Sequence, residues 1–145
     1  RSAYKNGLLD QVYASETRPW LQGARLTSWE LQQDHIPVHL VIDSAIASLM
    51  QAGNIDWLIV GSDRIVANGD VANKIGTYSH AVNAKHHGVK VMVVAPASTV
   101  DMSVESGKMI PIEHRGSSEI TQMNTKQMAP EGVSASTTAF DIKPE

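Results

Sequence analysis

The chain of 145 residues contains no cysteine, a single phenylalanine and only 5% aromatic residues. Without cysteine it has no disulfide, no thiolate metal ligand and no cysteine nucleophile of its own, and the plain reading is a reducing, cytoplasmic setting. No apolar run approaches the ~20 residues needed to span a bilayer. The opening residues, Arg1-Ser2-Ala3-Tyr4-Lys5, are polar and lack the apolar segment of a secretory signal. A large excess of either charge is missing too: 12 basic against 15 acidic side chains leave a net charge of −3, so there is no basic footprint for nucleic acid. Six histidines are present, at 35, 39, 80, 86, 87 and 114, but they form no metal-binding pattern. His86 and His87 read as the solvated, cationic end of a helix.

What remains is sufficient for one packed domain, with 42% hydrophobic residues. Gln11–Ser15 reads as a strand, and residues 16–22 as a loop that Pro19 keeps out of any ladder. Residues 23–33 look helical, residues 38–42 form an apolar strand, and Asp43 or Ser44 is placed to cap a helix over 45–52. Gly53-Asn54 stops it. A strand over 56–60, a loop over 61–73, a helix over 74–87 and a strand over Val89–Ala95 follow. Ile110-Pro111-Ile112 reads as a further short strand and residues 115–139 as loop. Short strands alternating with helices imply βαβ units and a Rossmann-like α/β fold, a parallel sheet flanked by helices. The strands are apolar enough to be covered on both faces. The chain starts without Met, in what reads as a helix tail, and ends just after Phe140 and Ile142; the expectation is a piece of a longer protein, cut at both ends.

The loop after strand 56–60 carries Gly61-Ser62-Asp63-Arg64 and continues to Asn73-Lys74. In parallel α/β sheets such loops lie at the carboxyl edge, where ligands bind. Asp63 is a candidate general acid or base; the plain alternative is a loop carboxylate paired with Arg64. Asn73-Lys74 opens the expected helix. A lysine there opposes the helix dipole, which suggests an anion to hold, whereas an ordinary capped first turn is the alternative. Asn68-Gly69-Asp70 is a turn signal with no direct role. In the loop Thr17-Arg18-Pro19-Trp20-Leu21-Gln22-Gly23, Trp20 is expected to be packed, and Gln22 is either a sugar-binding amide or a plain loop residue. Gly107 and Gly116-Ser117-Ser118 are weak candidates for anion-binding turns.

Three stretches together resemble the methylthioribose-1-phosphate isomerase family: Glu16-Thr17-Arg18-Pro19-Trp20-Leu21-Gln22-Gly23-Ala24-Arg25-Leu26-Thr27, Gly61-Ser62-Asp63-Arg64-Ile65, and Asn68-Gly69-Asp70-Val71-Ala72-Asn73-Lys74-Ile75-Gly76-Thr77. Val91–Pro96 and Ile110-Pro111-Ile112-Glu113 also fit. The resemblance implies conversion of 5-methylthioribose 1-phosphate to 5-methylthioribulose 1-phosphate in methionine salvage, with no metal or organic cofactor. It implies Asp63 as proton donor and Gln22, Asn73 and Lys74 as substrate-binding residues. It also implies a homodimer; the charge balance and the lack of a long apolar run point to no nucleic-acid or membrane partner.

The chain departs from that family in lacking an N-terminal region with an Arg-Gly-Ala phosphate loop, a further arginine and a catalytic cysteine. The expectation is a C-terminal catalytic domain, residues 1–145, that is inactive alone and needs the missing N-terminal half. Ser62 stands where alanine is more usual. Two related readings remain: a ribose-1,5-bisphosphate isomerase, and a non-enzymatic sugar-phosphate-sensing or assembly module. The regulatory subunits of the eukaryotic initiation guanine-nucleotide exchange factor share the fold and generally lack the catalytic aspartate. The presence of Asp63 argues against that non-enzymatic group.

Overall fold

The computed structural model describes residues 1–144. Its contacts divide the chain into two compact units, residues 1–48 and residues 49 onward.

The first unit opens with helix α1 (Ser2–Lys5) and strand β1 (Val12–Ser15). A π-helical turn, Gly23–Thr27, runs into helix α2 (Ser28–Gln33), and strand β2 (Val38–Val41) follows. β1 and β2 pair in parallel, with Ala14 opposite Leu40, so β1, α2 and β2 form the first expected βαβ unit. Helix α3 (Ile46–Gln51) is preceded by a 3-10 turn, Asp43–Ala45.

The entry to α2 depends on one close approach. A Cβ on Gly23 would lie 1.6 Å from the carbonyl oxygen of Ser15 and 2.9 Å from Thr17 Oγ1. Only a residue without a side chain lets the helix start directly against the end of β1.

The second unit begins with strand β3 (Trp57–Val60). The region read as one loop, 61–73, is instead a hairpin of strands β4 (Arg64–Val66) and β5 (Val71–Lys74). Gly69, at φ 87°, turns it, and Val66 N–H donates to Asp70 O at 3.1 Å. The alternation Arg-Ile-Val and Val-Ala-Asn is too short to read as strands, and the polar Asn68-Gly69-Asp70 turn dominates the stretch.

The hairpin displaces the start of the next helix, α4, to Thr77–His86. Asn73 and Lys74 therefore belong to a strand, and the helix-dipole argument for Lys74 does not apply. Strand β6 (Lys90–Val93) then pairs in parallel with β3, with Leu58 opposite Val91.

Ala81 and Ala84 on α4 are buried, and small side chains there allow the helix to lie close on β3 and β6. The opposite residues of these strands are bare: Trp57, Ile59 and Met92 are 45%, 62% and 40% exposed. Within this chain, β3 and β6 are thus covered on one face only, unlike the double coverage expected from their composition.

After strand β7 (Val100–Asp101), Ile110–Ile112 is not a strand, because Pro111 lacks the donor a ladder needs. The segment expected to be loop holds short strands β8 (His114–Arg115), β9 (Gln122–Met123), β10 (Lys126–Gln127) and β11 (Thr137–Thr138) and a short helix, α5 (Ser118–Thr121). β12 (Phe140–Lys143) returns to the hairpin, giving a four-stranded sheet ordered β12-β5-β4-β7. In it β4 and β7 are parallel and the other neighbours antiparallel. Val66, Val71 and Ala72 are its buried apolar residues, and Ala139, just before β12, is buried as well. The fold is therefore α/β with a parallel pair in each unit, as expected, and the second unit also holds a mixed sheet that the sequence pattern does not reveal. Among the described residues, no helix is long and apolar enough to cross a membrane.

Replacing Gly23 by alanine forces Ser15 and the start of α2 apart. The expected loss is about 1–3 kcal/mol, the range for overpacking a close contact. Urea unfolding measures it; an unchanged midpoint would contradict the role assigned to this approach.

Candidate functional site

The hairpin determines where the second unit's candidate residues lie. Arg64 pairs with Ala72, so the next antiparallel position outward sets Asp63 opposite Asn73. Asp63 N–H donates to Ala72 O at 2.8 Å, and Ser62 Oγ to the same oxygen at 3.3 Å. Residues directly opposite in an antiparallel pair share a face. Asp63 and Asn73 are thereby neighbours immediately beyond the carboxyl end of β3.

The two side chains differ in what they touch. The Asp63 carboxylate is exposed and has no hydrogen bond or ion pair among the described residues. Its sequence neighbour Arg64, the alternative partner, reaches instead to Asp101, with Nη1 3.5 Å from Oδ2. Ser103, through its hydroxyl and its amide, and then Arg64 hold the Asp101 carboxyl below its ordinary range.

Asn73 Nδ2 donates to Thr77 Oγ1 at 2.9 Å. That bond turns Oδ1 toward Gly61, where it lies 3.9 Å from the position a Cβ would occupy. Asn73 thus offers an acceptor on the side where β3 ends.

Lys74 follows Asn73 in the strand and projects to the opposite face. Its register partner is Phe140, and Nζ stands 4.8 Å from the centre of that ring. The ammonium is half-exposed and makes a cation–π contact rather than an ion pair.

Gln22 belongs to the first unit and is described within it. Its loop is held by Asp43, whose carboxylate accepts the Ser15 hydroxyl, Thr17 N–H at 2.8 Å and Arg18 N–H at 2.7 Å. Asp43 therefore organises the preceding loop; the expected capping of the following helix is not its role. Thr17 and Leu21 adopt positive φ angles of 63° and 55°, and the Arg18–Pro19 peptide is cis. Trp20, expected to be packed, is 52% exposed, while the Gln22 side chain turns inward. Gln22 Oε1 is buried with no hydrogen-bond partner among the described residues. A buried acceptor without a donor is costly, and a ligand hydroxyl would relieve it.

Two further aspartates act structurally, the first inside the turn read from the sequence and the second not signalled there. Asp70, in the turn, is buried and accepts Gly107 N–H at 2.9 Å and Asn68 Nδ2 at 3.0 Å. It fixes the far end of the hairpin, and Gly107 serves this contact. Asp141 is the second. On β12 it sits opposite Asn73 and accepts Gly76 N–H at 2.8 Å and Tyr78 N–H at 3.0 Å. No signal in the sequence links residues 65 positions apart. Among the described residues, no group of three or more His, Cys, Asp or Glu side chains is placed to hold a metal ion.

Burial pushes the Asp141 carboxyl above its ordinary value, opposed by the Tyr78 and Gly76 amides and by His80. The folded state then binds its proton more readily than the unfolded chain. This group's contribution to stability is accordingly expected to fall as pH rises from the ordinary aspartate value through the folded midpoint. A carbon-detected NMR titration of the Asp141 carboxyl reads that midpoint; a value at or below that of a free aspartate would contradict the burial effect.

Comparison with known proteins extends these observations. The model of the initiation factor 2 subunit family matches residues 1–145. Methylthioribose-1-phosphate isomerase of Pseudomonas aeruginosa is 58% identical over 144 residues, which cover 99% of this chain and 40% of that protein. The crystal structure of 5-methylthioribose 1-phosphate isomerase from Pyrococcus horikoshii superposes with a TM-score of 0.95 at 49% identity, over 99% of this chain and 40% of that one. A structure described as translation initiation factor eIF-2B, subunit delta, from A. fulgidus matches at a TM-score of 0.94 and 45% identity, over 99% of this chain and 42% of that one. The chain thus spans about two fifths of the length of the curated relatives it matches. On the match along its whole length, the chain belongs to the initiation factor 2 subunit family.

Proposed function

We propose that this chain is the C-terminal catalytic part of an aldose–ketose isomerase that converts 5-methylthioribose 1-phosphate to 5-methylthioribulose 1-phosphate in methionine salvage. The observation that carries the reading is the exposed Asp63 carboxylate, without a partner among the described residues, beside Asn73 at the end of a parallel strand. The identity to methylthioribose-1-phosphate isomerases supports it.

The chemistry suits these groups. Phosphate on C1 prevents the spontaneous ring opening of a free hemiacetal. The bond between C1 and the ring oxygen must break with the phosphate in place, and the ring oxygen must gain a proton. A hydrogen then passes from C2 to the electron-deficient C1 with its electron pair, and the C2 hydroxyl gives its proton to the carboxylate that the first step left ionised, as C2 becomes a ketone. Asp63 is proposed as the proton donor. Asn73 Oδ1 is proposed as an acceptor for a sugar hydroxyl, and Gln22, in the first unit, as a substrate-binding amide on the strength of the family resemblance. Lys74, on its long flexible stem, leaves the Phe140 ring to meet the phosphate.

The rest of the polypeptide is required. The chain carries no cysteine, whereas the resembling family uses one, so residues 1–145 alone are proposed to be inactive. The bare apolar side chains on β3 and β6 are surface of the kind that further polypeptide covers. The complete protein is further proposed to be a cytoplasmic homodimer working without metal or organic cofactor.

In the complete protein, Asp63→Asn is expected to lower kcat by about 100- to 10,000-fold, the usual contribution of general acid–base catalysis, while substrate binding persists. An NMR time course and calorimetric binding separate the two quantities. Unchanged turnover would remove Asp63 from the mechanism. Turnover of ribose 1,5-bisphosphate in preference to the thio-sugar would move the assignment to that substrate.

A further inference from the structure

We infer that Asp141 is a positioning residue that sets the orientation of the Asn73 amide through Thr77. The inference rests on the reading of Asn73 as a substrate-binding group and extends it to a residue on a different strand.

The first N–H groups of a helix lack intrahelical partners and are normally met by a side chain at the cap position. In α4 that position is Gly76, at φ 102°, which has no side chain to offer. Asp141 supplies the acceptors from β12. Its Oδ2 takes Gly76 N–H and its Oδ1 takes Tyr78 N–H, so the carboxylate brackets Thr77.

Thr77 is only 5% exposed, and both functions of its hydroxyl are in use. The hydroxyl donates to Lys74 O at 2.8 Å and accepts from Asn73 Nδ2 at 2.9 Å. The first bond fixes the hydroxyl hydrogen, so the oxygen can only receive from Asn73. The amide is thereby oriented, with Nδ2 inward and Oδ1 toward Gly61. Asp141 and Asn73 are also register partners on β12 and β5, so the strand pairing and the helix start lock the same residue. The Asp141 carboxyl is half-buried there.

Asparagine at 141 keeps one acceptor and sets an NH2 group against the other amide. That loosens the Gly76–Tyr78 turn and frees Thr77 without removing a group that touches substrate.

The test uses the complete protein. Turnover of 5-methylthioribose 1-phosphate by the unaltered protein decides the functional reading by itself. For the positioning role, Asp141→Asn is expected to raise KM about tenfold with kcat within about threefold, the pattern of lost uniform binding. In an Asn73→Ala background the same change is expected to add less than about twofold to KM, because its route is already gone. Independently of any activity, the Asn73 side-chain amide resonances are expected to shift in Asp141→Asn. If that variant does not fold, Asp141→Glu, which retains the charge but displaces it by one methylene, is read in the same way. Asn73 resonances that stay in place, or KM effects that multiply fully in the double variant, would overturn the inference even if the protein is the proposed isomerase.

Discussion

The antiparallel pairing of Arg64 with Ala72 is the constraint on which the rest of the site depends. A parallel strand needs only a crossover helix to reach its neighbour. Here a hairpin is inserted between β3 and α4, and it returns the chain to the place it left. Asp63 leaves β3 and Asn73 re-enters beside it, held by the Asp63 amide on Ala72 O. Residues ten apart in sequence become cross-strand neighbours at the edge where parallel α/β sheets bind ligands. The same pairing puts β5 in reach of β12, and β12 brings Asp141 to the start of α4.

The aspartates of this chain divide by what they face. Asp43 accepts two backbone amides and holds the loop before α2. Asp70 accepts the Gly107 amide and closes the hairpin. Asp141 accepts two amides at the head of α4. Each carboxylate satisfies donors that would otherwise be unpaired, and each thereby serves as structure. Asp63 receives no such bond among the described residues, so its carboxylate remains available to a substrate. The buried acceptor of Gln22 in the first unit is a second group without an internal partner. Asp63 is exposed at the end of β3, and Gln22 Oε1 is the buried side-chain acceptor without a partner among the described residues.

The sequence made the α/β class and the strands β1, β2, β3 and β6 legible, because short apolar runs between helical stretches leave few other readings. It also brought out Asp63, Asn73, Lys74 and Gln22 as candidates. The hairpin was not legible: β4 has three residues and β5 four, below the length at which alternation separates strand from loop. That single miss moved the start of α4 and put Asn73 and Lys74 on the wrong element. Trp20 was misread because hydrophobicity alone does not say which of two neighbours turns inward; positive φ at Thr17 and Leu21 turns Gln22 in and leaves Trp20 out. Asp141 lies beyond local reading altogether, since its partners are joined to it only by the pairing of β12 with β5.

The most direct test of this account is a crystal structure of the complete Asp63→Asn protein with 5-methylthioribose 1-phosphate bound. The account predicts the residue at 63 within about 2.6–3.2 Å of the ring oxygen, the reach of a proton donor, with Asn73 Oδ1 on a sugar hydroxyl of the same molecule. A sugar bound elsewhere, with residue 63 facing solvent and Asn73 still bonded only to Thr77, would contradict it.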